Sequence, residues 1–235
     1  MPQFDAVAES CPAVGASDVL SIQQTLNISR GSSWLLPASL PLFPQITSTA
    51  TRVKTRRGVL SYSVDRAWPL RRRHPNALVL EFGVFRGGDI TFLAKTVSKK
   101  SGANKSGANK SGATKSDQSG VIHGFDSFEG LPEQWDTPGL TTASGAIAYP
   151  AGAFNLDGIP PPVPTTVTLH KGWFSATLPA FLSTHPQPIA FVHADADLYS
   201  STLAFLRPLC AHGRIVVGTV INFDEYWNYV SGKPP

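Results

Sequence analysis

The sequence predicts an α/β domain with a mostly parallel sheet flanked by helices, and three observations carry that prediction. From residue 77 onward, five short apolar runs alternate with segments of helical character. Four of these runs close on a carboxylate, at Glu81, Asp126, Asp195 and Asp224. The first is followed at once by a glycine-rich turn. Strands that alternate with helices pair in parallel through right-handed crossovers. In such sheets ligands bind beyond the carboxyl ends of the strands, near the switch in strand order.

Residues 1–76 read as an N-terminal arm with short helices. Residues 18–28 suit a short helix capped by Asp18. Residues 35–46, broken by Pro37, Pro41 and Pro44, suit an extended segment. The basic stretch 52–73 includes a helix that ends before Pro75. The domain proper runs over 77–235. Residues 77–82 form a buried parallel strand, being a short apolar run that ends in an acid and a glycine turn. Residues 89–97 form the helix after it. Residues 98–119 hold a pentapeptide repeated at Ser101, Ser106 and Ser111. Its small residues dotted with lysine bury no core, which makes the segment a flexible, low-complexity insertion. Residues 121–126 are the second strand. Residues 131–164, rich in Pro, Gly and Ala, read as a long loop of the kind that is usually functional or disordered. The remaining strands fall at 165–169, 189–193 and 219–223, with helices at 175–182 and 201–210.

The chain has 235 residues, enough for one domain with a real core. Its charged fraction is 15% against 42% hydrophobic residues, which excludes a disordered chain. The formal charge of +4 comes largely from residues 52–73 and from the lysines of 99–115. That excess says little about the domain's partner, and the basic stretch lacks the interleaved aromatics of nucleic-acid surfaces. We therefore expect no nucleic-acid partner. No run of about 18 apolar residues is present, so no membrane span is expected either. Asp5 and Glu9 interrupt any apolar N-terminal leader. Cys11 and Cys210 lie far apart in no metal-ligand spacing, which argues against a disulfide scaffold and for a reducing, cytoplasmic compartment.

The first strand ends in Glu81-Phe-Gly83-Val-Phe85-Arg86-Gly87-Gly88. Glycines here let the backbone approach a ligand and turn into a helix whose first amides receive an anion. Phe85 stands where a dinucleotide-binding pattern would place its second glycine, so a tight structural turn is the competing reading. Asp126 follows Glu81 by 45 positions, of which the insertion accounts for 22. The remaining 23 match the roughly 20-residue gap to a carboxylate that holds ribose hydroxyls. An adenosyl-type ligand across the first two strands follows, unless Asp126 only caps the next helix. Trp173 and Phe174 follow the third strand, where they would either contact an adenine ring or pack in the core.

Asp195 and Asp197 belong to His193-Ala-Asp-Ala-Asp, and Asp224-Glu225 to Phe223-Asp-Glu-Tyr. The 29 residues from Asp195 to Asp224 make one strand-helix-strand step, so these acids end neighbouring strands. Carboxylates converging in this way repel one another unless a cation is bound, and hard oxygen ligands favour Mg²⁺ or Mn²⁺. Such an ion would lower the pKa of a substrate hydroxyl. The alternatives are helix caps or pairs with Arg86 or Arg214, and Asp197 is the most doubtful of the set. His193 reads as a satisfied core histidine, and His123 deserves the same caution.

Five segments together resemble the macrocin O-methyltransferase (TylF-type) family of class I methyltransferases. They are Glu81-Phe-Gly-Val-Phe-Arg-Gly-Gly, Gly124-Phe-Asp-Ser-Phe-Glu-Gly-Leu-Pro, Gly172-Trp-Phe with Thr177-Leu-Pro, His193-Ala-Asp-Ala-Asp-Leu-Tyr-Ser-Ser-Thr, and Gly218-Thr-Val-Ile-Asn-Phe-Asp-Glu-Tyr. The resemblance implies a Rossmann-like fold, S-adenosylmethionine as donor and Mg²⁺-dependent (or Mn²⁺-dependent) O-methylation of a small acceptor, such as a sugar hydroxyl of a natural product. It implies that Glu81 and Gly83 line the methionine end of the donor and that Asp126 binds ribose. Phe85, Arg86, Gly87, Ser127, Trp173 and Phe174 complete the expected donor set. Asp195, Asp224 and Glu225 are the implied metal ligands, with Asp195 also the candidate base. The 131–164 loop, with Phe154, would help to cover the acceptor.

Two departures from the family pattern bear on chemistry. Asp89 follows the glycine pair where a small hydroxyl residue is expected, which puts negative charge near the donor's carboxylate. The closing antiparallel hairpin expected after residue 229 is missing, which would expose a sheet edge; either the sequence is truncated, another chain (such as a second copy in a homo-oligomer) covers the edge, or the protein is a degenerate relative. A catalytically inactive or truncated donor-binding protein of the same fold is the alternative function.

Overall fold

The structure, a computed structural model, describes residues 53, 55–102, 121–142 and 145–224. The expected helix at 18–28, the extended segment at 35–46, most of the insertion and Glu225 lie outside those residues. The elements run α1 (Arg56–Arg73), β1 (Leu78–Phe82), α2 (Gly88–Lys100), β2 (Ile122–Asp126), β3 (Trp135–Thr142), β4 (Gly145–Tyr149), β5 (Val167–Lys171), α3 (Phe174–Thr184), β6 (Ile189–Ala194), α4 (Tyr199–Ala211) and β7 (Val220–Phe223).

Five strands make one parallel sheet in the order β5-β2-β1-β6-β7. The chain moves outward from β1 to β2 and β5, then returns to the other side of β1 for β6 and β7. The switch in direction therefore falls between β1 and β6, where such sheets open a crevice. The predicted α/β class and its parallel sheet are borne out.

Alternation along the strands divides the core in two. Leu78, Leu80 and Phe82 of β1 point to the face covered by α3 and α4, where they meet Leu178, Phe181, Phe205 and Leu209. Val79 points to the opposite face, against Leu60 and Val64 of α1 and Ile90 and Leu93 of α2. On β6 a register shift beside Leu78 and Val79 puts Ala190 and Phe191 consecutively on the α1/α2 side. Alternation then resumes, with Val192 and Ala194 on the α3/α4 side.

Helix α1, placed by the sequence on the arm side of residue 77, is packed into this same core. The Thr55 side chain caps its start by accepting from Gly58 N–H at 3.0 Å. Arg71, Arg72 and Arg73 fall in its last turn, where the helix dipole favours positive charge. Helix α2 continues through Lys100, three residues into the expected insertion.

Three expectations are corrected. The third strand begins at Val167, because Thr165 and Thr166 form a turn. The presumed loop 131–164 contains the antiparallel hairpin β3–β4, with Trp135 opposite Tyr149. Its Gly-, Ala- and Thr-rich strands carry no apolar alternation, so only backbone pairing and that aromatic pair mark them. Cys210, on α4, is disulfide-bonded, against the expectation of unlinked thiols. No described helix is long and apolar enough to cross a membrane.

Candidate active site

The carboxyl ends of β1, β2 and β6 open into a cavity of about 810 Å³. One wall is the turn after β1, with Gly83, Val84, Phe85 and Arg86. A second is acidic: Glu81, Asp89, Asp126, Asp195 and Asp197. A third comes from the 131–164 segment, with Trp135, Tyr149 and Phe154.

The turn after β1 is held by its neighbours. Gly83 has φ +87°, and a Cβ there would lie 1.8 Å from the carbonyl oxygen of Asp195. Only glycine lets β1 and the loop after β6 approach that closely. Asp126 Oδ2 accepts from the amides of Val84 and Phe85, each at 2.8 Å, and Oδ1 accepts from Phe128 N–H at 2.7 Å. The carboxylate thus clamps the glycine turn instead of capping a helix, while still lining the cavity. Ser127 is buried and accepts from Glu129 N–H at 3.1 Å. Gly87, Ser127, Trp173 and Phe174 do not line this cavity. Phe174 packs edge-on against Phe82 with ring centroids 5.3 Å apart, the core role that competed with adenine contact.

Glu81 and His193 are direct cross-strand partners on β1 and β6. Both are buried, at 1% and 0% exposure, and His193 Nδ1 lies 3.1 Å from Glu81 Oε2. Burial works against charge on both, raising Glu81 and lowering His193. At His193 the attraction of Asp224 and Glu81 overcomes burial and lifts its pKa to about 10. Its Nε2 has no hydrogen-bond partner, and Asp224 Oδ1 stands at 4.0 Å. That distance is ion-pair range, too long for a hydrogen bond. His193 is therefore a core residue that carries charge into the acidic wall.

Asp195 follows β6, its amide bonded to Phe82 O at 2.9 Å. Burial is the main cause that pushes its pKa up to about 7; Asp224 and Glu81 add to the rise, and His193 and Arg56 oppose it.

The cation facing these acids is neither Arg86 nor Arg214. Arg86 lies over the Phe85 ring at 5.0 Å, and Arg214 donates to Pro186 O at 2.8 Å. Arg56, in the first turn of α1, takes that position. Its Nε lies 2.8 Å from Asp89, its Nη2 2.5 Å from Asp195 and its Nη1 3.0 Å from Asp224. Arg56 stands 139 positions from Asp195, and no local spacing in the sequence connects them.

For a divalent ion, the ligand atoms of Asp89, His193 and Asp195 come within 4.8 Å of one another, with Asp224 beside them. The carboxylate oxygens suit Mg²⁺ or Mn²⁺, and His193 could add its imidazole only on losing the proton that Asp224 and Glu81 hold on it. The guanidinium of Arg56 already bridges Asp89, Asp195 and Asp224, so the set fits an ion only where that side chain gives way.

Residues 162–232 match the family model described as macrocin O-methyltransferase (TylF). The matched span holds the segments of Gly172, His193 and Gly218 and bears out the recognition of the TylF type; the segments of Glu81 and Gly124 lie before it. No curated protein sequence matches the chain. Among solved structures the chain is similar to the crystal structure of CalS11, a calicheamicin methyltransferase, with 24% identity and a TM-score of 0.47, over 73% of this chain and 66% of that one. It is also similar to the apo structure of CalS11, described as a TDP-rhamnose 3'-O-methyltransferase of calicheamicin biosynthesis, with 20% identity and a TM-score of 0.44, over 75% of this chain and 67% of that one. The chain thus spans just under two thirds of the length of the first of these.

Proposed function

We propose that this TylF-type chain transfers the methyl group of S-adenosylmethionine to a hydroxyl of a small acceptor. The observation that carries the reading is the single cavity in which the glycine turn, the carboxylates and an aromatic wall face one another. The donor lies across the carboxyl ends of β1 and β2. Gly83, Phe85 and Arg86 flank its methionine end, and Asp126, which clamps the turn, faces its ribose. The chemistry is one displacement. An acceptor oxygen attacks the methyl carbon, the carbon–sulfur bond breaks, the proton leaves to a carboxylate, and S-adenosylhomocysteine is released.

Asp195 is the base in this reading. A carboxylate with a pKa near 7 takes a proton at neutral pH far better than an ordinary aspartate. Glu81 and His193 set the charge around it from the buried side. Asp195, Asp224 and Glu225 are the residues that would hold Mg²⁺ or Mn²⁺, with Asp89 at hand. Bound there, such an ion would lower the pKa of the acceptor hydroxyl and position its oxygen.

The acceptor's body has a wall of its own. Trp135 stacks on Tyr149 with centroids 5.3 Å apart, Tyr149 meets Phe154 at 5.2 Å, and Phe154 meets Phe85 at 5.7 Å. Phe85 and Phe154 remain more than a third exposed, as suits rings awaiting a partner. Four linked rings suit a flat aromatic acceptor or the apolar face of a sugar.

A labelled-donor assay against sugar and phenol hydroxyls tests the reading. Asp195→Asn should lower turnover by roughly 10²–10⁴-fold, the usual worth of general-base catalysis. Calorimetry should find donor affinity little changed. Without added divalent ion, turnover with the native chain should rise with pH through about 7 as Asp195 ionises. Donor binding with no transfer to any acceptor would leave a binding protein on the same fold.

A further inference from the structure

We infer that Arg56 is a built-in cation that holds the acidic site against a divalent ion, so that metal loading and the Arg56 contacts exclude one another. The inference rests on the metal reading of the acid set and deepens it. A single guanidinium spends all three nitrogens on three different carboxylates, those of Asp89, Asp195 and Asp224. These belong to the start of α2, the loop after β6 and the end of β7, so one side chain ties three elements together. The same acids form the convergent donor group. Asp89 and Asp195 lie with His193 inside a 4.8 Å cluster, and the buried, unpartnered Nε2 of His193 faces Asp224 Oδ1 at 4.0 Å.

Arginine suits this task because it stays charged at any working pH and presents donors in a fixed fork. It is also removable. The Arg56 side chain is 48% exposed and sits in the first turn of α1, beside the Thr55 cap, at the helix end where local opening is easiest. An ion that takes the carboxylates thereby frees Arg56 and loosens the start of α1. Conversely, Arg56 lowers affinity for the ion by occupying its ligands. The acidic wall then has two cation-balanced states.

Mn²⁺ titration followed by electron paramagnetic resonance, without donor or acceptor, tests this directly. Arg56→Met should bind Mn²⁺ at least roughly tenfold more tightly than the native chain, a change of about 1.4 kcal/mol. Arg56→Lys, with one point charge and no fork, should fall between the two. Adding Asp195→Asn to Arg56→Met should remove the gain. In the native chain, saturating Mn²⁺ should speed amide hydrogen exchange over residues 56–62 and leave β1 unchanged. Equal Mn²⁺ affinity in the native chain and Arg56→Met would overturn the inference, as would failure of both to bind. So would unchanged exchange in a native chain that binds Mn²⁺. Donor affinity measured on the same samples reports separately on the methyl-transfer reading, which survives either result. Circular dichroism of each variant guards against loss of fold.

Discussion

Two buried histidines stand on the strands that flank β1, and the same imidazole meets opposite fates in them. His193 on β6 faces Glu81 at 3.1 Å with Asp224 close by, and is held protonated with a pKa of about 10. His123 on β2 faces His170 at 3.0 Å, among the rings of Phe181 and His185. Burial lowers it first, the other two histidines add to the effect, and its pKa falls to about 3. Burial is common to both sites, so burial alone decides nothing. A buried histidine is charged where strands deliver carboxylates to it and neutral where they deliver rings.

The most damaging way to break this contrast is to remove the charged partner. His193→Gln leaves Glu81 buried without its cation and should cost about 3–5 kcal/mol in chemical denaturation. The same measurement on His123→Leu should give about 1–3 kcal/mol, the cost of stranding one ring nitrogen of His170.

Stability against pH sharpens the comparison next. His193, raised from 6.5 to about 10, binds its proton more tightly when folded, so its contribution is full below 6.5 and lost as pH rises through about 10. His123 and His170, lowered to about 3 and about 4, bind protons less readily when folded. Their contribution is full above 6.5 and lost as pH falls through those values. Unfolding midpoints should therefore decline on both sides of neutrality. His123→Leu should flatten the acid limb and His193→Gln the alkaline one; identical limbs in the two variants would refute the contrast.

The smallest expected effect lies on the cavity's aromatic wall, where no charge is at stake. Phe154→Ala should raise the acceptor KM by roughly fivefold, about 1 kcal/mol, and leave donor affinity unchanged. An equal loss of donor affinity would move that wall from the acceptor to the donor.

The sequence revealed what depends on local pattern. Buried parallel strands are continuous apolar runs, and β1, β2, β6 and β7 were found within a residue or two, with their terminal acids at the right ends. The hairpin β3–β4 was missed because Gly145, Ala146 and Thr141 give no alternation to read. Glu81 lines the cavity, but its buried pairing with His193 depends on β6 lying beside β1 and not on any motif. Arg56 was missed for the same reason, since the fold alone brings the start of α1 to the acids. Contacts set by strand order and helix docking leave no spacing for a reader of one sequence to find.

The close approach of Gly83 to the Asp195 carbonyl has a mechanical consequence. No space separates the glycine turn after β1 from the loop of Asp195, so neither can shift alone. In the proposed reading a ligand that tightens one should tighten the other, so that donor and acceptor affinities are linked, each improving in the presence of its companion. That coupling would then be a property of a missing methyl group at position 83.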